Sequence, residues 1–183
     1  MIIKTKNFGN VEVQDTDVIN FEEGVPGFPN EKKFVVLFDN TKEESPFMWL
    51  QAVDNSELTF VVVDPFWFKP DYKFNIDVET KNQLDIQNPE DVLVLSVVVI
   101  PEDMSKITAN LKAPLLVNHR THKGKQYILE NDKYSVRHYI MDELERNFSS
   151  AVKPNDKKCC KTASEKSKCS CKTGGKTSCK KTE

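Results

Sequence analysis

From Val11 to Glu130 the chain repeats one pattern: short runs rich in Val, Ile, Phe and Thr, separated by clusters of Gly, Pro, Asn and Asp. VEV (11–13), DVINF (17–21), KFVVLF (33–38), MWLQAV (48–53), LTFVVVD (58–64), DVLVLSVVVI (91–100) and KQYILE (125–130) each suit a pleated strand. GVPGFP (24–29) supplies a turn, in which Gly24 and Gly27 can take positive φ and Pro26 fixes its own; Asp54-Asn55-Ser56 supplies another. Short strands at hairpin intervals predict a mostly β fold, a small antiparallel β-barrel or roll, rather than an α/β one. One short helix is expected over Val78–Leu84, with Asp77 as its N-cap and Asn88-Pro89 closing the segment.

After Tyr139 the period changes. Ile140, Leu144 and Phe148 recur every four residues, which predicts a short C-terminal helix. From Lys153 onward Lys, Ser, Thr, Cys and Gly leave almost nothing to bury, so that segment reads as a disordered tail. The chain is therefore expected to divide into a barrel-like domain (1–139), a helical extension (140–152) and a Lys/Cys-rich tail (153–183). Charge divides along the same line. Ten lysines against Asp156, Glu165 and Glu183 put the tail at +7; with −2 for the whole chain, the preceding 152 residues carry −9. Such a body lacks the clustered Lys and Arg that phosphate contacts need, and its field speeds encounter with a basic protein. No direct nucleic-acid contact is expected of it. The alternative is a nucleic-acid-binding module that acts through the basic tail, although no aromatic residue is interleaved there to stack on bases.

The first six residues alternate polar and apolar, without the apolar core of a secretory signal. The longest apolar run, Val92–Ile100, is broken by Ser96 and is too short to span a bilayer, so no membrane association is expected. All five cysteines lie beyond residue 158; the body needs no disulfide and reads as cytoplasmic. The tail's Cys159, Cys160, Cys169, Cys171 and Cys179 are thiol ligands of the right type for a soft metal, but their spacing does not match paired zinc ligands. GGKTS (174–178) echoes a phosphate-binding loop, yet Ser170 stands where that loop needs glycine. His119 and His122 lie in a turn-like stretch with no third ligand in view. No nucleophile elbow, dinucleotide loop or spaced carboxylate pair is present; the expectation is no catalytic residue, no metal, no cofactor and no small-molecule substrate.

One stretch, ITANLKAPLLVN (107–118), points to binding. Pro114 has no N–H for a ladder and so belongs on an edge strand or at a bulge. An apolar edge invites another chain to pair with it. On that reading the partner surface comprises Ile100, Pro101 and Glu102 at a strand end, with Asn110, Leu111, Ala113, Pro114 and Asn118 on the edge strand. Leu111 could instead be core, and Asn110 and Asn118 turn formers. Trp49, Phe60, Phe66 and Trp67 suit the core, with Trp67 and Phe68, beside Asp64-Pro65, as the candidates for exposure.

FEEGVPGF (21–28), MWLQAVDNSELTFVVVDPF (48–66), NPEDVLVLSVVVIPED (88–103) and ITANLKAPLLVN (107–118) resemble, in the same order, the flagellar assembly factor FliW family. KGKQ (123–126) and YSVRH (134–138) continue the resemblance, which covers about residues 1 to 140. It implies a small β-barrel-like fold without enzymatic activity and a cytoplasmic, chaperone-like protein with two partners. One is flagellin; the other is the RNA-binding translational regulator CsrA, whose repression of flagellin messenger RNA is relieved while it is held. The tail lies outside the resemblance.

Overall fold

Seven strands close a barrel in the computed structural model, which describes the backbone of residues 1–38, 45–130 and 132–151 and their side chains as far as Asn147. The strands are β1 (Ile2–Thr5), β2 (Gly9–Glu12), β3 (Val18–Phe21), β4 (Lys33–Phe38), β5 (Phe47–Ala52), β6 (Thr59–Val63), β7 (Val92–Val99), β8 (Thr108–Ala109), β9 (Leu115–Asn118), β10 (Lys123–Gln126) and β11 (His138–Tyr139). The helices are α1 (Pro65–Phe68), α2 (Val78–Leu84) and α3 (Ile140–Ala151). β3 to β7 form an antiparallel meander; β7 then pairs with β9, β9 with β10, and β10 returns to β3. That last pair is parallel, Lys123 facing Asn20 and Gly124 facing Phe21, where the sequence pattern suggested antiparallel pairing throughout. The reason is counting: a ring with an odd number of alternating strands cannot close without one parallel pair. Gly124 makes the closure possible, because a Cβ there would stand 2.6 Å from Cζ of Phe21.

The strands read as almost continuous apolar runs because both faces of the sheet are covered. Phe34 and Val35, neighbours on opposite faces of β4, are both buried. Ile19, Phe21, Phe34, Leu50, Leu95 and Leu115 fill the barrel. Outside, the β1–β2 hairpin covers Val18 and Val35 with Ile3 and Val13. A second outer layer packs Phe68, Tyr72, Leu111, Leu129, Tyr134 and Ile140 over Val63 and Val98. α3 takes part in that layer through Ile140 and Leu144, two of the three positions that the four-residue spacing selected; the side chain of the third, Phe148, lies outside those described. α2 runs over the expected residues: the Asp77 carboxylate accepts from the Thr80 N–H at 2.7 Å, and Asp85 ends the helix at φ 54°. α1, a single turn, was not visible in the aromatic run it occupies. Asp64 caps it, accepting from the Phe66 N–H at 2.8 Å, and Pro65 sits at its first position, where no N–H is needed.

Candidate partner-binding surface

The 107–118 stretch is not an edge. β8 and β9 both pair with β7, Val98 with Ala109 and Leu95 with Leu115, so that Asn110–Pro114 span what Ser96–Val97 span opposite. This is a wide bulge, the other setting in which a proline is tolerated. The free side of β9 is taken by β10, and the ladder continues past it: the Tyr127 N–H donates to the Pro114 C=O at 2.8 Å and the Leu129 N–H to the Lys112 C=O at 2.8 Å. No backbone edge is left there for an incoming chain.

The side chains agree with the backbone. Leu111 is 0% exposed within the outer layer, and its C=O accepts from the buried Tyr72 hydroxyl at 2.8 Å. Asn118 is also 0% exposed and is fully used: its amide donates to the Leu84 and Asp85 carbonyls at the end of α2, and its Oδ1 accepts from the Arg120 and Thr121 N–H groups. Asn110 Oδ1 accepts from the Ala113 N–H at 3.1 Å and closes the bulge; both residues are half-buried, and Pro114 is buried. As edge contacts, Leu111, Pro114 and Asn118 are therefore corrected to core and turn residues. His122, at φ 54°, and Arg120, paired with Asp85 at 2.9 Å, belong to the turn that follows.

The other group of candidates lies differently. β7 continues to Val99, beyond Val97, the last of its residues paired with β6. Val99 is 63% exposed, Ile100 41% and Met104, in the short 3-10 turn Met104–Lys106, 57%. Glu102 is exposed and Pro101 half-buried. Thr108 pairs with both Val99 and Tyr139, which places those two side chains in one cross-strand row and on one face. α3 packs against α1 and against the 104–106 turn, bringing exposed Trp67 and Met141 to the same end of the barrel. Exposed carboxylates lie on the same segments: Glu102 follows Pro101, and Asp142 and Glu145 are on α3, while Asp64 is half-exposed and Asp103 is paired with Lys106 at 2.9 Å. Of the aromatic residues, Trp67 is exposed as considered, whereas Phe68 is fully buried and Phe66 is exposed, the reverse of the reading from sequence. Val99, Met104, Tyr139 and Met141 were not singled out; the one available signal was that the Val92–Ile100 run is longer than either neighbouring strand.

A charge cluster holds α3 beneath this face. The Glu143 carboxylate, 6% exposed, accepts from Lys69 beside α1 and from Arg146 at 3.0 Å, and lies 3.5 Å from His138 Nε2 on β11. Lys69 also reaches Asp71 at 3.0 Å. Burial alone would raise the Glu143 carboxyl, but its hydrogen bond to Lys69 and the surrounding positive charge carry it below the usual range. Burial lowers His138, against the pull of Glu143, and its Nε2 is buried without a hydrogen bond. The cluster orients elements and presents no reacting group to solvent. Among the described residues no set of three or more His, Cys, Asp or Glu is placed to hold a metal ion, and no helix is long and apolar enough to cross a membrane. The five cysteines of the tail lie outside the described residues.

This arrangement of barrel, outer layers and exposed sheet end has counterparts. The family model for FliW protein matches residues 2–140. The chain belongs to the FliW family. It is 49% identical over 151 residues to a flagellar assembly factor FliW of Thermoanaerobacter pseudethanolicus, covering 82% of this chain and 100% of that one. A flagellar assembly factor FliW of Bacillus licheniformis is 45% identical over 143 residues, covering 78% of this chain and 99% of that one. The crystal structure of a flagellar assembly factor FliW superimposes with a TM-score of 0.71 at 37% identity, over 76% of this chain and 96% of the other. The match to the family model ends at residue 140, where α3 begins, so the tail lies outside it.

Proposed function

We propose that this FliW-family flagellar assembly factor works without catalysis, as a cytoplasmic protein that binds flagellin and binds the translational regulator CsrA. The observation that carries this reading is the exposed end of β7: Val99, Ile100 and Met104 open to solvent, with exposed carboxylates at Glu102 and, on α3, which packs against the 104–106 turn, at Asp142 and Glu145. An apolar patch with an acidic rim on a −9 body suits a partner whose own surface is basic, as that of an RNA-binding protein is. Ile100, Pro101 and Glu102 stay in the proposed contact set; Asn110 and Ala113 border the bulge and support it from behind. Leu111, Pro114 and Asn118 would act only by holding the frame. Binding relieves repression to the extent that CsrA binds this chain better when free of RNA than when bound to it. The direct test is a competition assay in which labelled flagellin messenger RNA is displaced from CsrA by increasing amounts of this chain. Displacement by the wild type, lost in a Val99→Lys/Met104→Lys variant with an unchanged melt, is the expected result. No displacement at saturating protein, or displacement unaltered by both charges, would overturn it. The basic tail offers no comparable observation, since it lies outside the described residues.

A further inference from the structure

A second surface differs in sign from the first. Between the segment following α1 and the segment following α2 lies a groove of about 690 Å³. Its walls are the half-buried Phe74, Ile76, Ile86, Val92 and Val94 together with exposed Phe66. The aromatic wall is held from behind. The Tyr72 ring meets Phe66 at 5.9 Å and Phe74 at 5.2 Å, and its hydroxyl is spent on the Leu111 carbonyl. Polar lining comes from Asn75, Gln87 and Asn88, and no carboxylate lines the groove. Its two charges are Lys73 and Lys81, both exposed, neither with an acidic group within 4.0 Å among the described residues. Of the carboxylates close to the groove in sequence, Glu79 and Glu90 are exposed and do not line it, Asp71 pairs with Lys69 at 3.0 Å and Asp85 with Arg120 at 2.9 Å. Asp77 accepts from the Thr80 N–H, and Asp91 accepts from the Gln87 and Asn88 N–H groups at 3.0 and 2.8 Å.

An apolar groove flanked by two unpaired ammonium groups stands out on a body whose net charge is −9. We propose that this groove is a docking site for a partner-protein segment that is both apolar and acidic: aliphatic side chains would cover Phe74, Ile86, Val92 and Val94, and carboxylates would pair with Lys73 and Lys81. The charge excludes a basic segment here as firmly as the acidic rim of the sheet end favours one there. α1 stands between the two surfaces, with Phe66 lining the groove while Trp67 is exposed at the sheet end. The groove is thus independent of whichever partner the sheet end takes.

Two fluorescein-labelled synthetic peptides with the same leucine spacing, one carrying glutamates and the other glutamines between them, test the assignment by anisotropy against the full chain. The glutamate peptide should bind and the glutamine peptide should bind more weakly. Lys73→Glu with Lys81→Glu should weaken the glutamate peptide by roughly tenfold or more, because charge reversal turns two attractions into repulsions. A Met104→Ala variant, altered at the sheet end, should bind it as the wild type does. Equal affinity for both peptides, or indifference to the double reversal, would overturn the proposal. So would self-association of the chain in sedimentation that the same double reversal abolishes, since the groove would then belong to a second copy. An unchanged melt for the double variant keeps any loss of binding from being a loss of fold.

Discussion

Two segments at different points along β7 behave in opposite ways. Residues 110–118 pair with its first part and residues 99–104 leave its far end; each contains a proline, and each contributed candidates for the partner surface from sequence, Ile100, Pro101 and Glu102 in the second. In the fold the first is walled in by β7, β10 and the outer layer, whereas the second continues beyond the residues that pair with β6 and opens to solvent. Proline reports only that an N–H is missing. It does not say whether the gap faces water or faces a five-residue bulge. What decides the matter is whether a later strand comes back to pair, and for 110–118 that strand is β10, whose short KGKQ sequence carries little strand signal of its own.

The sharpest way to break this contrast is Leu111→Lys. With Leu111 fully buried and no acid beside it in its apolar layer, an ammonium there should cost several kcal/mol, roughly 3–5, and collapse the melt. A Leu111→Lys protein that melts within a degree or two of wild type would restore the edge reading and remove the bulge.

Gly124→Ala probes the returning strand itself. The added methyl would stand 2.6 Å from Cζ of Phe21 and 2.9 Å from Cγ2 of Ile19, and both belong to the filled barrel interior. Overpacking of this kind costs about 1–3 kcal/mol. Denaturant midpoints measure it, and a neutral result would show that the parallel β3–β10 closure is looser than its register.

Beneath the exposed segment, Glu143→Gln should cost about 2 kcal/mol, less than a bare buried pair because Lys69 keeps Asp71. The pH dependence follows from two groups shifted the same way. His138 is lowered from 6.5 by burial, so its contribution is whole above that value and declines as pH falls through it. Glu143, lowered from 4.5, adds a further loss at more acid pH as its carboxylate takes a proton. Melts from about pH 7.5 to about pH 3 should therefore fall in two stages for the wild type, and His138→Phe should flatten the first. A wild-type melt that rises on acidification would contradict both directions.

How much of this was legible in the sequence depends on how local the cause was. β4 was delimited to the residue by its own alternation and turn signals, and α2 by Asp77 at its start. Leu144 and Ile140 declared their face of α3 by spacing alone. The parallel closure and the three-stranded β7–β8–β11 patch were not legible, and Pro114 left edge strand and bulge both open, because each depends on a pairing between residues far apart in the chain. Asn118 shows the limit most plainly. Its four hydrogen bonds tie the end of α2 to the turn at Arg120 and Thr121, and one letter between Val117 and His119 says nothing of them.

The smallest effect on stability and the largest on binding should come from one substitution on the open side of the contrast. Ile100 is 41% exposed and follows the last residue of β7, so Ile100→Lys takes little apolar area out of the fold and gives the ammonium direct access to water. Surface changes of this kind fall within about 0.5 kcal/mol, and the melt should barely move. Binding is another matter. The substitution removes an exposed apolar side chain beside Val99 and adds a positive charge close in sequence to Glu102 on a −9 body, where it cancels part of the field that attracts a basic partner. Stopped-flow association with CsrA should then slow, and its dependence on salt should flatten relative to wild type, since fewer unbalanced acids remain to be screened. Ile100→Ser separates the two causes: it removes the same apolar contact without charge, so it should speed dissociation while leaving the salt dependence of association as it was. If both variants bind as the wild type does, the end of β7 is open for some other reason, and the contrast between the two segments is one of burial alone.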